Sequence, residues 1–327
     1  MIGIVIAHHH DNLDFIEEWR SEFDREDVTI YICEDKNKHI NKKPDWGKFK
    51  IFNHKDIEKD LKDKSWIIPF NSSAIKSYGF YKAWLDRCNI TITIDNDCFP
   101  DQEDFILSHS NNLKKRCDDS WCKTTSVYTR GYPYGVRNYN KIAISHGVWS
   151  NIPDLDASTS LLNPDLRLPI ETKNNFIPKG YFYPMSGMNL AFNTNITPIM
   201  YFGLHNKEWG YDRFDDIWAG LFSKKILDHL GYGVISGKPS VEHRKQSNVY
   251  ENLIKEAEGI KLNEDLWKEI NKIELTKINF FDCYLELIEK LPNINNYILN
   301  LKKATFEWLE LFIHFKPFLF FTDKLNL

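Results

Sequence analysis

The chain has 327 residues, a formal net charge of −4, and 42% hydrophobic residues with 14% aromatics. That length can bury a large core and fits one large domain, or one with an appendage. The charge balance leaves no general basic field, so nucleic acid is not an expected partner. Six cysteines with no CxxC pair and no zinc-type spacing read as free thiols. With no signal-peptide pattern, they point to a reducing, cytoplasmic compartment, with peripheral membrane association left open.

Ile2 to Ala7 is a short apolar run of the buried-strand kind. A loop with His8, His9 and His10 follows, then an amphipathic helix carrying Leu13, Phe15, Ile16 and Trp19. The second strand, Val28 to Cys33, ends in Glu34 and Asp35. Phe49 to Phe52 predicts a third short strand, Asp56 to Leu61 a short helix, and Trp66 to Pro69 a brief strand or turn. Ser72 or Ser73 suits a helix N-cap, after which Ala74, Ile75, Tyr78, Tyr81 and Leu85 recur at helical spacing. Ile90, Ile92 and Ile94 then alternate with Thr91 and Thr93 as a β-branched strand. Alternating strands and helices over the first hundred residues or so argue for a parallel, doubly wound sheet. No GxGxxG or GxxxxGK[ST] appears, which speaks against dinucleotide and P-loop sites.

The last of these strands runs straight into Asp95-Asn96-Asp97. Two carboxylates at the carboxyl end of a strand are costly together unless something positive lies between them. In an open α/β sheet, that edge is where ligands bind. An Asx-turn at a strand end is one reading; a divalent cation, Mn²⁺ or Mg²⁺, bridging to a phosphorylated substrate is the other.

Beyond it, Asp101 to Leu113 predicts a helix and residues 114 to 123 a charged surface stretch. Residues 124 to 200 are weakly periodic but rich in Gly, Pro and aromatics, a composition that often lines a site. Arg130 and Arg137 flank one such loop and suit either a solvated surface or a phosphate-binding pocket. Arg130 as a nucleophile is a further reading, and needs an unusual environment. Asp215 and Asp216 open a helix that Gly231 and Gly233 stop; they fit the helix dipole or a role as sugar-facing carboxylates. His243 reads as a surface residue or as a metal ligand.

From about residue 247 the chain is helical, with Leu301, Ala304, Trp308, Leu311, Phe312 and Phe315 on one apolar stripe. Trp308 to Phe321 is too short and too interrupted to span a bilayer, so no transmembrane segment is expected. Domain bounds of 1–260 for a catalytic unit and 261–327 for a helical extension follow from this reading.

Taken in order, these segments resemble the reversibly glycosylated polypeptides, the UDP-arabinopyranose mutases best known from plants. The likeness is carried by Ile92-Thr-Ile-Asp-Asn-Asp-Cys-Phe99, Arg130-Gly-Tyr-Pro133 with Arg137, and Ser145-His-Gly-Val-Trp-Ser-Asn-Ile-Pro-Asp154. Pro184-Met-Ser-Gly-Met-Asn189, Arg213-Phe-Asp-Asp-Ile-Trp218 and His243 complete it. The resemblance implies a GT-A-type fold: a mixed, mainly parallel α/β sheet flanked by helices, with a helical C-terminal extension. It implies a metal-dependent mutase on a UDP-pentose, with reversible self-glycosylation on Arg130 and a second essential arginine at Arg137. The catalytic set on this reading is Arg130, Arg137, Asp215 and Asp216; Asp95, Asp97 and His243 would hold the metal. Ala7, Asp35, Lys76, Asp95 and Asn96 would meet the nucleotide, Asp35 at the uracil. A sugar-transferring enzyme and a non-catalytic nucleotide-sugar-binding subunit are the alternatives. A homo-oligomer, or a hetero-oligomer with a homologue, is the expected assembly. The chain departs from the family at Asn96, where a third aspartate is usual, and at Ser186, where cysteine is usual.

Overall fold

A computed structural model describes residues 1–9, 13–35, 40, 42–118, 120–244 and 247–313. His10 of the histidine run and Phe315, with the rest of the aromatic end, lie outside the described residues.

Four parallel strands open the fold: β1 (Ile2–His8), β2 (Val28–Glu34), β3 (Phe49–Phe52) and β4 (Ile90–Ile94). They lie in the order β3-β2-β1-β4, as the early alternation of strands and helices predicts. The helices between them are α1 (Arg20–Phe23), α2 (His54–Leu61) and α3 (Lys76–Leu85). A 3-10 turn, Asp14–Trp19, supplies most of the predicted first helix. Asn53 caps α2 with a reciprocal capping box, and Ser72 caps the 3-10 turn that leads into α3 by accepting from the Ala74 N–H.

After β4 the sheet becomes mixed. The next elements are β5 (Cys98–Pro100), α4 (Phe105–Lys114), β6 (Arg116–Cys117) and β7 (Asn140–Asn151). Then come α5 (Ala157–Leu162), β8 (Asn174–Ile177), β9 (Asn189–Asn193), α6 (Asp215–Leu230) and β10 (Gly233–His243). The main path is β3-β2-β1-β4-β9-β7-β10-β5, with β9 antiparallel to β4 and β7, β10 parallel to β7, β6 paired beside β7 and β8 beside β10. Helices α7 (Val249–Lys272), α8 (Phe280–Lys290) and α9 (Asn296–Glu310) follow.

The predicted C-terminal stripe is core. Trp308 is fully buried, stacks on Tyr201 with ring centroids 5.1 Å apart, and donates its indole N–H to the Pro198 carbonyl at 3.0 Å. Leu266, Tyr284, Leu301 and Trp308 share one apolar cluster with Phe192 and Phe202, and the boundary expected at residue 260 falls inside α7. No helix among the described residues is long and apolar enough to cross a membrane.

Candidate active site

Strand direction explains what meets where. β4 ends at Ile94, so Asp95 leaves the sheet at its carboxyl edge. β9 runs the other way and begins beside it, pairing Asn189 with Ile94, and the Asp95 N–H donates to the Met188 carbonyl at 3.3 Å. The carboxyl ends of β7 and β10 arrive at the same edge, with Asn151 beside His243, and β5 sets Cys98 against His243. α6 points its N-terminus there. The strand order reverses between β1 and β4, the switch point at which open α/β sheets leave a crevice. A cleft of about 780 Å³ opens at this edge, lined by Asp95, Asp97, Asp154, Asp215, Asp216 and His243 among others.

Lys76, on the first turn of α3, is almost fully buried beneath the cleft. Its ammonium donates to Asp95 Oδ1 and to the Gly187 carbonyl at 2.8 Å. Burial alone would lower the lysine pKa, but Asp95, with Asp215 and Asp216 further off, outweighs it and raises it. Asp95 is the mirror case: burial raises its pKa, and Lys76 more than reverses that.

Asp97 faces His243, with Oδ2 3.5 Å from Nε2. The histidine's other nitrogen donates to the Ile152 carbonyl at 2.8 Å, which fixes the proton of a neutral ring on Nδ1. A neutral ring then aims the Nε2 lone pair at a carboxylate. Such an arrangement calls for a proton or a cation between the two groups. The proton alternative is visible in the pKa: burial lowers it, and Asp97 outweighs that to raise it. The cation alternative fits the donor set, because one carboxylate and one imidazole with a fixed second nitrogen suit a divalent ion completed by substrate phosphates. Among the described residues no three His, Cys, Asp or Glu side chains already form a closed metal cage. Asp95, expected as a metal ligand, has one oxygen committed to Lys76.

Three further carboxyl groups crowd the cleft. Asp215 accepts from the Ser73 hydroxyl, Asp216 from the Gly187 N–H at 2.7 Å, and Asp154 from the Ser186 hydroxyl at 3.0 Å. Burial raises the pKa of Asp154 and Asp215, against the lowering by these serines. Asp216 is pushed well above the ordinary carboxylate range, first by burial and then by Asp215 beside it. Ser186 is itself placed by His146, whose Nε2 accepts the Ser186 N–H at 3.1 Å.

The other expected nucleotide residues share this edge without lining the cleft. Ala7 is buried near the end of β1, opposite Cys33. Asp35 is buried just past β2, accepting from the Asn71 N–H at 2.7 Å and pairing with His9 at 3.0 Å. Asn96 has its amide nitrogen shielded from solvent and without a hydrogen-bond partner.

The two arginines are elsewhere. Arg130 is exposed and Arg137 half-buried, on the segment between β6 and β7. That segment enters β7 at Asn140, the amino end of a strand whose far end reaches the cleft. The 12 residues of β7 span roughly 35 Å. Arg137 stays local: it donates to the Tyr132 carbonyl at 2.8 Å, and its guanidinium lies 3.8 Å from the Tyr134 ring centroid and 4.7 Å from that of Tyr128. Neither arginine lines the cleft. Of the Gly-, Pro- and aromatic-rich stretch, Trp149, Asp154, Pro184 and Ser186 line the cleft instead, while Tyr128 and Tyr134 stack on Arg137.

The sequence reading passed over Trp149, Asp154, Ser186, Arg213 and Glu256 as site residues. None carries an individual signal: Trp149 lies near the carboxyl end of β7, Asp154 just after it and Ser186 just ahead of β9, and only the register brings those strand ends together.

Fold and site together define an α/β protein with an acidic cleft at the switch point of a mixed sheet. The chain belongs to the reversibly glycosylated polypeptide family, whose pattern it matches over residues 1–317. UDP-arabinopyranose mutase 1 of Arabidopsis thaliana is 36% identical over 94% of this chain and 90% of that protein. A probable UDP-arabinopyranose mutase 1 of Pisum sativum is 36% identical over 91% and 87%. The mutase 1 of Oryza sativa subsp. japonica is 35% identical over 94% and 89%. Among solved structures, glucosyl-3-phosphoglycerate synthase of Mycobacterium tuberculosis with Mn²⁺, UDP-glucose and phosphoglyceric acid is similar at 10% identity. It covers 81% of this chain and 79% of that one, at a TM-score of 0.44.

Proposed function

We propose that this chain is a GT-A-type, divalent-metal-dependent mutase that interconverts the pyranose and furanose forms of a UDP-pentose, UDP-L-arabinose; the relatives' names give UDP-arabinopyranose. The observation that carries the reading is the Asp97–His243 pair. It is poised for a cation beside the Lys76–Asp95 ion pair at the switch point, where a nucleoside diphosphate would lie. Asp97 and His243 would hold Mn²⁺ or Mg²⁺, which supplies Lewis-acid neutralisation of the diphosphate.

The chain's own residues do the rest. Lys76 keeps Asp95 ionised and fixed. The bond from the anomeric carbon to the diphosphate breaks, and its electron pair leaves with the β-phosphate oxygen. The 4-hydroxyl oxygen bonds to the anomeric carbon as the bond to the ring oxygen breaks, and Asp216, whose pKa burial and Asp215 raise, gives its proton to that departing ring oxygen. As a carboxylate it then takes the proton of the hydroxyl that closes the new ring, and the diphosphate returns to the anomeric carbon.

Reversible glycosylation of Arg130 belongs to the same proposal. Arg130 sits at the opposite sheet edge, so its sugar would come from the cleft of a second copy, which fits the expected oligomer. Mixing an Asp97→Asn chain with an Arg130→Lys chain tests this: sugar on the Asp97→Asn chain supports transfer between copies, and its absence in mixtures where wild type is labelled refutes it. The mutase reading itself is tested by incubating the protein with UDP-arabinopyranose and Mn²⁺ and resolving the isomers by chromatography. Net UDP release with a glycosylated acceptor would instead identify a transferase.

A further inference from the structure

Arg213 sits just ahead of α6 with φ of 64°, in the left-handed region that arginine seldom adopts. Backbone strain of this kind persists only where the surroundings enforce it. Here they do so from two sides. The Arg213 N–H donates to the side chain of Asp212 at 2.9 Å, and Nε donates to Glu256 Oε1 at 2.8 Å. Glu256, on α7, is itself buried, and its second oxygen accepts the Ala157 N–H at 2.7 Å, so α5, α7 and Arg213 are tied at one carboxylate.

This clamp grips the guanidinium from behind. The side chain retains 31% of its exposure and lines the cleft, and among the described residues no hydrogen bond occupies its two terminal nitrogens. Eight carboxyl groups line the same cleft, and Arg213 is the only arginine or lysine among the described residues that does so. Asp154, which lines the same cleft, lies near both Arg213 and His243 and acts electrostatically on each. A planar fork of two free N–H groups matches two oxygens of a phosphate. In so acidic a cleft, an anionic ligand has one fixed guanidinium to meet.

Resting on the mutase reading above, we propose that Arg213 is a catalytic residue whose terminal N–H groups take up the negative charge that builds on the β-phosphate as the sugar–oxygen bond breaks. The bond's electron pair passes to that oxygen, no proton moves, and the charge falls again when the oxygen re-forms the bond. A group serving this charge favours the departed diphosphate over the intact nucleotide sugar.

The test is calorimetric titration of UDP and of UDP-arabinopyranose, with Mn²⁺, into wild type, Arg213→Gln and Arg213→Lys. The expected result is a UDP affinity lowered about tenfold or more in Arg213→Gln, with the nucleotide-sugar affinity changed far less. Isomerisation should fall by a factor on the order of 100. Arg213→Lys, which keeps the charge but loses the fork, should shift the affinity ratio in the same direction by less. A merely structural role would lower both affinities together, and an unchanged ratio in either folded variant overturns the proposal. Binding needs no turnover. Wild type that binds both ligands but forms no isomer would therefore sink the mutase reading while leaving the ratio to judge Arg213.

Discussion

Replacing Lys76 by Met keeps the volume of the buried stem and deletes its charge, leaving Asp95 without its partner and removing the positive charge that Lys76 sets near Asp215 and Asp216. Removing one partner of a buried ion pair costs about 3–5 kcal/mol. Asp95 keeps 33% of its side chain exposed, so water screens part of the loss and the low end, about 3 kcal/mol, is appropriate. The Gly187 carbonyl also loses its donor. A loss of that size should lower the melting temperature by roughly 5–10 °C at pH 7. The pH dependence follows from Asp95, whose folded pKa is held below its ordinary value in wild type by Lys76. Such a group contributes stability above the ordinary carboxylate pKa of about 4, and loses it as pH falls through the folded value. In Lys76→Met burial dominates, Asp95 protonates more readily, and the gap to wild type should narrow as pH falls from about 6 toward 4. Urea unfolding across that range measures it, and Lys76→Met/Asp95→Asn should recover much of the loss. A variant within about 1 kcal/mol of wild type at pH 7, or a gap that does not narrow with acid, would refute the reasoning.

Other substitutions probe the neighbouring groups. Asp216 has a folded pKa raised by burial and by Asp215, so its ionisation costs stability as pH rises above about 4. Asp216→Asn should therefore melt higher than wild type at pH 7–8. The advantage should vanish near pH 4, and isomerisation should be lost with UDP binding retained. Asp97→Asn and His243→Asn should each abolish the extra thermal stabilisation that Mn²⁺ gives a UDP-bound sample, leaving metal-free melting nearly unchanged. Asn96→Asp places a carboxylate where a shielded, unpartnered amide now lies; thermal shift should show lower stability without metal and a larger gain with Mn²⁺. Gly147→Ala drives a methyl to 2.2 Å from the Asn189 amide, which bonds the Val148 and Pro239 carbonyls. Overpacking of this sort costs about 1–3 kcal/mol, and it should weaken UDP binding because Asn189 follows the Met188 carbonyl that holds Asp95.

Much of this framework is legible in the chain. β-Branched alternation marks β4, apolar runs mark β1 and β2, and a strand that ends in acids declares the cleft edge. Gly231 closes α6 at φ of 75°, as a glycine stop should. What stays hidden is the half of the sheet whose strands are buried on both faces. β7 shows almost no in–out alternation because both sides are covered, so residues 140–151 give no period-two signal. With β7 and β10 unread, nothing in the chain says that Trp149, Asp154 and Ser186 converge on Asp95, or that Arg130 enters the sheet at its other end. The Lys76 ion pair and the Arg213–Glu256 clamp join residues 19 and 43 apart in sequence, and only packing brings them together.

The central claim is that the cleft binds a UDP-sugar through a cation at Asp97 and His243 and rearranges it. The most direct measurement is incubation of wild type and Asp97→Asn with UDP-arabinopyranose, with Mn²⁺ and with chelator, followed by chromatographic separation of the UDP-sugar isomers. A furanose peak should appear with wild type and Mn²⁺ and disappear with chelator or in Asp97→Asn. A folded wild-type protein that binds UDP yet yields no isomer, or one that yields it equally well with chelator and in Asp97→Asn, would contradict it.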